Sequence, residues 1–312
     1  MRVYAAIDAG SNAVRMLVAA LDEEGRLRRL RYERTTTRLA EGLLAGARGG
    51  NLSPRSMERT IRALKLYRRQ LSSYCISGMR AVGTSALREA ANSAGFIGRV
   101  FRQTGIKLEV ISHDEEARLS AKGVTGFLEL PRKKTFILDI GGGSTEWMLA
   151  EGRSLLRSGS IPSGVVKLAG VLKGKRRKEG YDALAGEIGA IVLKLKEEVG
   201  PLPAGTPFVI TGGTASTAAC VDLGLARYEH EKVHGHEIGF ERLLDMYRLL
   251  ASLPIEKRRR VPGLEPDRAD LIVPGLGLII KIMGEYGLDR VIASDAGLPE
   301  GLILAFLEGN EV

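Results

Sequence analysis

Two stretches of the sequence end an apolar run on a carboxylate and follow it at once with glycine and small donors: Asp8-Ala9-Gly10-Ser11-Asn12 and Asp139-Ile140-Gly141-Gly142-Gly143-Ser144-Thr145-Glu146. Glycine lets backbone N–H groups converge on an anion with no side chain in the way, and serine, threonine or asparagine adds further donors. Gripping phosphate is the chemistry this suits. A third acidic element, Ser112-His113-Asp114-Glu115-Glu116-Ala117-Arg118, follows an apolar run over Ile106–Ile111 and opens a helix, with Ser112 as N-cap and Glu115 closing a capping box. The box occupies Glu115, so Glu116 is the carboxylate with no local partner implied, although a first-turn acid also complements the helix dipole. Arg88, within Val82-Gly83-Thr84-Ser85-Ala86-Leu87-Arg88-Glu89-Ala90, follows another glycine loop. It suits a bidentate grip on phosphate or an ion pair on a solvated face.

The elements that must position these groups repeat. Val3–Ile7 and Ala13–Ala20 read as two strands of a hairpin around the first glycine turn, and Phe136–Leu138 and Trp147–Ala150 do the same around the second. Two copies of one device suggest a duplicated architecture. Phe208-Val209-Ile210 leads into Thr211-Gly212-Gly213-Thr214 and a helix, and Val291-Ile292-Ala293 into Ser294-Asp295-Ala296-Gly297 and the final helix. Glycines at a strand-to-helix junction suit phosphate or nucleotide at the helix N-terminus, and neither loop has the GxxxxGK[ST] pattern of a P-loop. Apolar spacing predicts helices over Pro54–Leu71, Ser85–Gln103, Tyr181–Val199 and Phe240–Ala251. Strands alternating with helices make the chain an α/β protein.

With 312 residues and 44% hydrophobic content the chain can bury large cores, and that length ordinarily divides into two domains. Its two cysteines, Cys75 and Cys220, have neither metal-ligand nor disulfide-framework spacing and read as buried thiols. Asp8 falls where a signal peptide needs its apolar stretch, and no apolar run has the length of a membrane span, so a cytoplasmic, membrane-free protein is expected. The net charge of +9 favours polyanions, while 5% aromatic content and the lack of a nucleic-acid-binding pattern argue against nucleic acid. The basic run Lys173–Lys178 reads as a solvated loop or a polyanion contact. His230, His234 and His236 do not make a zinc site, because Gly235 interrupts the helix that HxxxH would need.

In order along nearly the whole chain, Asp8-Ala-Gly-Ser-Asn12, Gly83-Thr-Ser-Ala-Leu-Arg88, Glu115-Glu116-Ala-Arg118, Asp139-Ile-Gly-Gly-Gly-Ser-Thr-Glu146, Gly212-Gly213-Thr214, Arg268-Ala-Asp270 and Ser294-Asp295-Ala-Gly297-Leu298 resemble the exopolyphosphatase and guanosine pentaphosphate phosphohydrolase (Ppx/GppA) family, in its short two-domain form. The resemblance implies two ribonuclease-H-like domains of the actin-like ATPase superfamily with an interdomain cleft. The domains would be residues 1–123 with the C-terminal helix 299–312, and residues 124–298. It implies Glu116 as the base that activates water and Arg88 as the cation on the terminal phosphoryl group. Asp139 and Glu146 would hold Mg2+ or another divalent cation such as Mn2+. Asp8, Gly10, Ser11, Asn12, Gly141, Gly142, Gly143, Ser144, Thr145, Gly212, Gly213, Thr214 and Arg268 would contact substrate, and a homodimer is compatible with it.

Phosphoryl transfer needs positioning and charge stabilisation, so amide nests, a cation and one base suffice. Hydrolysis of terminal phosphoanhydride bonds of inorganic polyphosphate is the first reading and guanosine pentaphosphate the second. An ATP-dependent small-molecule kinase of the same fold and a non-catalytic polyphosphate or alarmone sensor are the alternatives. Ala13, His113 and Pro299 depart from the family's usual serine, glycine and arginine.

Overall fold

A computed structural model describes residues 2–21, 26–43 and 50–308; Met1 and residues 309–312, which fall within the first expected domain, lie outside the described residues. The chain divides into two compact units, Met1–Gly123 with Leu298–Val312, and Val124–Gly297. None of the described helices is long and apolar enough to cross a membrane.

In the first unit, β1 (Val3–Ala9), β2 (Ala13–Leu21) and β3 (Leu27–Thr36) form an antiparallel meander. Helix α1 (Pro54–Leu71) returns the chain to β4 (Ile76–Gly83), and α2 (Ser85–Glu89) and α3 (Ser93–Thr104) lead to β5 (Leu108–Val110). Both of these strands run parallel to β1, which gives the order β3-β2-β1-β4-β5. Strand period sorts β1 between two cores: Ala5, Ile7 and Ala9 pack with Ile61, Leu64, Tyr67, Phe96 and Val100 from α1 and α3, while Tyr4 and Ala6 join Leu119, Leu298 and Leu302. Leu119 lies on α4 (His113–Phe127), and the two leucines lie on the last helix, α12 (Leu298–Glu308). Ser53 caps α1 by accepting from Ser56 N at 3.1 Å, with Pro54 in the first turn, where its missing N–H costs nothing.

The second unit repeats the plan. Antiparallel β6 (Lys134–Ile140), β7 (Thr145–Glu151) and β8 (Ser154–Ile161) are followed by α5 (Val165–Val171) and α6 (Arg177–Val199), then by β9 (Phe208–Thr211) parallel to β6. Helices α7 (Gly213–Asp222), α8 (His230–Val233), α9 (Phe240–Ser252), α10 (Ile255–Arg258) and α11 (Ile272–Tyr286) surround this sheet, with β10 (His236–Gly239) and β11 (Arg290–Ala293) at its edge. The order β10-β11-β9-β6-β7-β8 contains the first sheet's pattern of a central strand, two antiparallel neighbours on one side and two parallel on the other. One edge strand is added.

Several details differ from the sequence expectation. The helix predicted over Ser85–Gln103 is two helices, because Asn92 between them uses its side chain to accept from Leu52 N (2.9 Å) and donate to Leu52 O (3.1 Å). Arg177 and Lys178 belong to the first turn of α6, so the basic loop is shorter than the run Lys173–Lys178. Cys220 is buried, but Cys75 is exposed, since it sits in the turn between α1 and β4, where no helix covers it.

Candidate active site

In the first unit the functional side chains gather at the C-terminal ends of the parallel strands, the edge where α/β sheets present loops to ligands. Asp8 stands in register with Val82 and Ala9 with Gly83, while Gly83 pairs with Val110. The glycine turn, the loop to α2 and the start of α4 therefore issue side by side. In the turn, Asn12 O accepts from Thr37 N (3.0 Å) and Arg38 N (2.8 Å), and Ser11 O accepts from Ala40 N (2.9 Å). With its carbonyls held this way, the turn leaves the Ser11 and Asn12 amides without a backbone acceptor among the described residues. Three polar atoms here are buried without a hydrogen-bond partner among the described residues: Asp8 Oδ1, Asn12 Nδ2 and Thr37 Oγ1. Buried polar atoms left unpaired mark a place where a ligand or water completes the set.

Beside the turn, Arg88 and Glu116 come together as Nη1 and Oε2 at 2.7 Å, both side chains largely buried. Arg88 also donates Nη1–H to Ile111 O (2.8 Å), and its Nη2 lies 2.9 Å from His113 Nδ1. Its Nε is buried with no hydrogen-bond partner among the described residues. A guanidinium carries its charge permanently and has five N–H donors, so Arg88 pairs with Glu116 and keeps a donor in reserve. Burial and the Arg88 charge pull His113 below its ordinary 6.5, partly offset by Glu116. Neutral His113 offers Arg88 an acceptor.

Half of the capping box is present: Ser112 Oγ accepts from Glu115 N at 3.1 Å. The carboxylate of Glu115 is taken by Arg80 Nη2 at 2.7 Å, because β4 places that arginine alongside β5 and a charged partner outcompetes a backbone N–H.

In the second unit Asp139 is the direct cross-strand partner of Glu146, so two carboxylates stand opposite one another on β6 and β7, both buried. Like charges placed so are unfavourable, and two hard oxygen ligands at one spot are what a divalent cation asks for. The residues present thus fit Mg2+ or Mn2+. Ser160 on β8 steadies the pair by donating its Oγ–H to Glu146 Oε1 at 2.9 Å. The glycine turn is backed as in the first unit: Gly141 O accepts from Val165 N (3.0 Å) and Gly142 O from Val166 N (2.9 Å). Gly164 makes this possible, since a Cβ there would come within 2.4 Å of Gly141 O. The amides of Gly142 and Gly143 donate to no backbone carbonyl among the described residues. The Thr145 hydroxyl donates to Ser163 O at 2.8 Å.

Asp139 is in register with Thr211, which puts the Gly212-Gly213-Thr214 loop at the same strand edge, opening α7. Arg268 is buried and its guanidinium lies against Gly213, where a Cβ would overlap it. The Thr214 methyl packs on Gly275 of α11. The histidines are structural: His230 Nδ1 meets Asp295 Oδ2 (2.6 Å), His234 Nδ1 accepts from Asp295 N (3.2 Å) and His236 Nε2 meets Asp222 Oδ2 (2.7 Å). Three participants escaped the sequence reading: Thr37, Ser160 and Arg15, the last of which pairs with Asp8 at 2.6 Å. Strand register places Arg15 and Ser160, and a loop hydrogen bond from Thr37 N to Asn12 O places Thr37; no short motif encodes either.

Comparison with known proteins places the chain among similar sequences and folds. The chain is 28% identical over 98% of its length to a bifunctional 3-dehydroquinate synthase/phosphatase of Fusobacterium nucleatum, of which it spans 46%. It is 27% identical to exopolyphosphatase 2 of Mycobacterium tuberculosis, covering 96% of this chain and 97% of that one. To the guanosine-5'-triphosphate,3'-diphosphate pyrophosphatase of Aeromonas hydrophila it is 29% identical over 99% of its length, spanning 60% of the relative. The crystal structure of the Aquifex aeolicus Ppx/GppA family member superposes with a TM-score of 0.81 at 27% identity, covering 100% of this chain and 99% of that one. The fold is accordingly the α/β, two-unit actin-like one that the sequence resemblance implied. With the family profile matching residues 17–309, the chain belongs to the Ppx/GppA phosphatase family.

Proposed function

We propose that the protein is a divalent-cation-dependent exopolyphosphatase that removes terminal orthophosphate from inorganic polyphosphate. The observation that carries the reading is the buried Glu116 carboxylate held by Arg88, whose Nε has no hydrogen-bond partner among the described residues. Glu116 takes the proton of the attacking water as its oxygen bonds to the terminal phosphorus, and the bridging P–O bond breaks. Orthophosphate leaves, and the shortened chain keeps the negative charge. Arg88 orients the Glu116 carboxyl group before attack and offers Nε–H to the phosphoryl oxygens. The amides of the two glycine turns, Asn12, and the first amides of α7 with Arg268 bind further phosphates.

Asp139 and Glu146 would hold the cation, which when bound neutralises phosphate charge and orients the chain. In this reading residues 1–123 with 299–312 form the ribonuclease-H-like domain that supplies the base. Residues 124–298 form the one that supplies the cation site.

Guanosine pentaphosphate is the second reading, supported by the Aeromonas relative, since its cleavage to the tetraphosphate is the same bond-breaking. Phosphate release from long-chain polyphosphate and from guanosine pentaphosphate at equal Mg2+ decides between them. No release from polyphosphate removes the first reading. Transfer of labelled phosphate to an acceptor other than water removes both.

A further inference from the structure

We infer that the corner of the second unit where the first turn of α6 meets the end of α9 is an accessory docking site for the remainder of an inorganic polyphosphate chain, an inference that rests on the polyphosphate reading above. A solvent-open cavity of about 570 Å³ lies there, lined by Arg177, Lys178, Tyr181, Tyr247 and Arg248 with Ala251 and Ser252.

Some cations of this corner have structural work. Arg177 Nη2 and the Tyr181 hydroxyl donate to Ala251 O at 2.8 and 3.3 Å, and Arg258 Nε and Nη2 donate to Leu250 O and Leu253 O at 2.8 and 3.1 Å. They satisfy the last carbonyls of α9, and in doing so they bring two basic segments to the same helix end. What remains is Lys173, Lys175, Arg176 and Lys178 on one side and Lys257, Arg259 and Arg260 on the other. All are exposed, and none ion-pairs with a described residue.

A single run of like charge is ordinarily a solvated face. Two unpaired runs held at one helix end, one of which reaches the cavity through Lys178, concentrate positive potential, which a ligand charged at every phosphorus relieves by releasing counterions from both partners. The corner favours a phosphate chain over single-stranded nucleic acid, which needs open aromatic faces for its bases. Tyr181 and Tyr247 are each half-buried, and the Tyr181 hydroxyl is already bonded.

The test uses the full chain with Lys173, Lys175, Arg176 and Lys178, all exposed, replaced by Gln, an unchanged circular dichroism spectrum being required before the kinetics are read. KM for long-chain polyphosphate is expected to rise at least about tenfold and its dependence on salt to flatten, while kcat/KM on tripolyphosphate, the shortest substrate, stays unchanged. Equal KM values of variant and wild type on the long chain overturn the inference and leave the proposed function standing. If wild type cleaves no polyphosphate yet binds the long chain through these lysines, the proposed function fails and the docking site survives. Single-stranded RNA that competes as well as polyphosphate of equal charge, and loses binding in the same variant, overturns the assignment of the corner to phosphate chains.

Discussion

The two glycine hairpins share one backbone plan and carry opposite electrostatics. In each, a carboxylate ends the first strand, and the residue seven positions on stands directly across from it on the second. In the first hairpin that partner is Arg15, ion-paired to Asp8 at 2.6 Å; in the second it is Glu146 facing Asp139. The first unit therefore neutralises its strand-end acid internally and can lend the neighbouring Arg88–Glu116 pair to chemistry. In the second, two buried acids face one another across the strands. The scaffold occurs twice, and a single cross-strand position sets the charge that faces each strand-end acid.

The largest effects break this division of labour at the level of turnover. Glu116→Gln is expected to lower kcat by about 10²–10⁴-fold, because the water loses its base. Glu146→Gln is expected to lower activity as well, but through cation affinity, so raised Mg2+ restores part of its rate and none of that of Glu116→Gln. Steady-state rates of both variants across a Mg2+ titration check the pair; identical Mg2+ responses would erase the distinction.

Next in size is the stability of the first hairpin. Arg15→Leu leaves buried Asp8 facing an apolar side chain, and removing one partner of such a pair costs about 3–5 kcal/mol when both are buried. Arg15 is 21% exposed at its side chain, so the expected loss in urea unfolding is smaller, about 2–3 kcal/mol. In the second hairpin the sign reverses. In chelator, Glu146→Gln removes a like charge opposite Asp139 and is expected to raise stability by up to about 1 kcal/mol, while abolishing the rise in Tm that Mg2+ gives wild type. A loss of stability in chelator would contradict the like-charge reading.

The smallest effect lies with His113. Its pKa is lowered in the fold, so the neutral form is favoured there; the stabilisation is complete above the ordinary 6.5 and is lost as pH falls through the lowered value. Protonation also turns the ring nitrogen beside Arg88 from acceptor to donor. The acid limb of the pH–rate profile is expected to flatten in His113→Gln, and an unchanged limb assigns it to another group.

Much of the fold was readable where burial leaves a pattern in the chain. Pro54–Leu71 carries its buried Ile61, Leu64, Tyr67 and Leu71 at helical spacing, and the observed helix has those bounds. Strand β3 was not readable: Leu27-Arg28-Arg29-Leu30-Arg31-Tyr32-Glu33-Arg34 has no buried run, and pairing with β2 alone makes it a strand. The same holds for Glu115, whose local capping role lost its carboxylate to Arg80 from another strand. Cys75, in a chain neighbourhood that looked apolar, is exposed because nothing packs over its turn.

By itself the sequence determined the chemistry on offer: glycine turns after acids, a carboxylate on a helix start, an arginine after a glycine loop, and a basic surface. These follow from residue type and short spacing, which local backbone geometry translates directly. The tertiary structure decided the pairings. Which acid is neutralised by Arg15, which faces another acid, which amides of each turn stay open, and which arginine holds Glu116 all depend on strand register and long-range packing, and those arise from the cooperative burial of both cores.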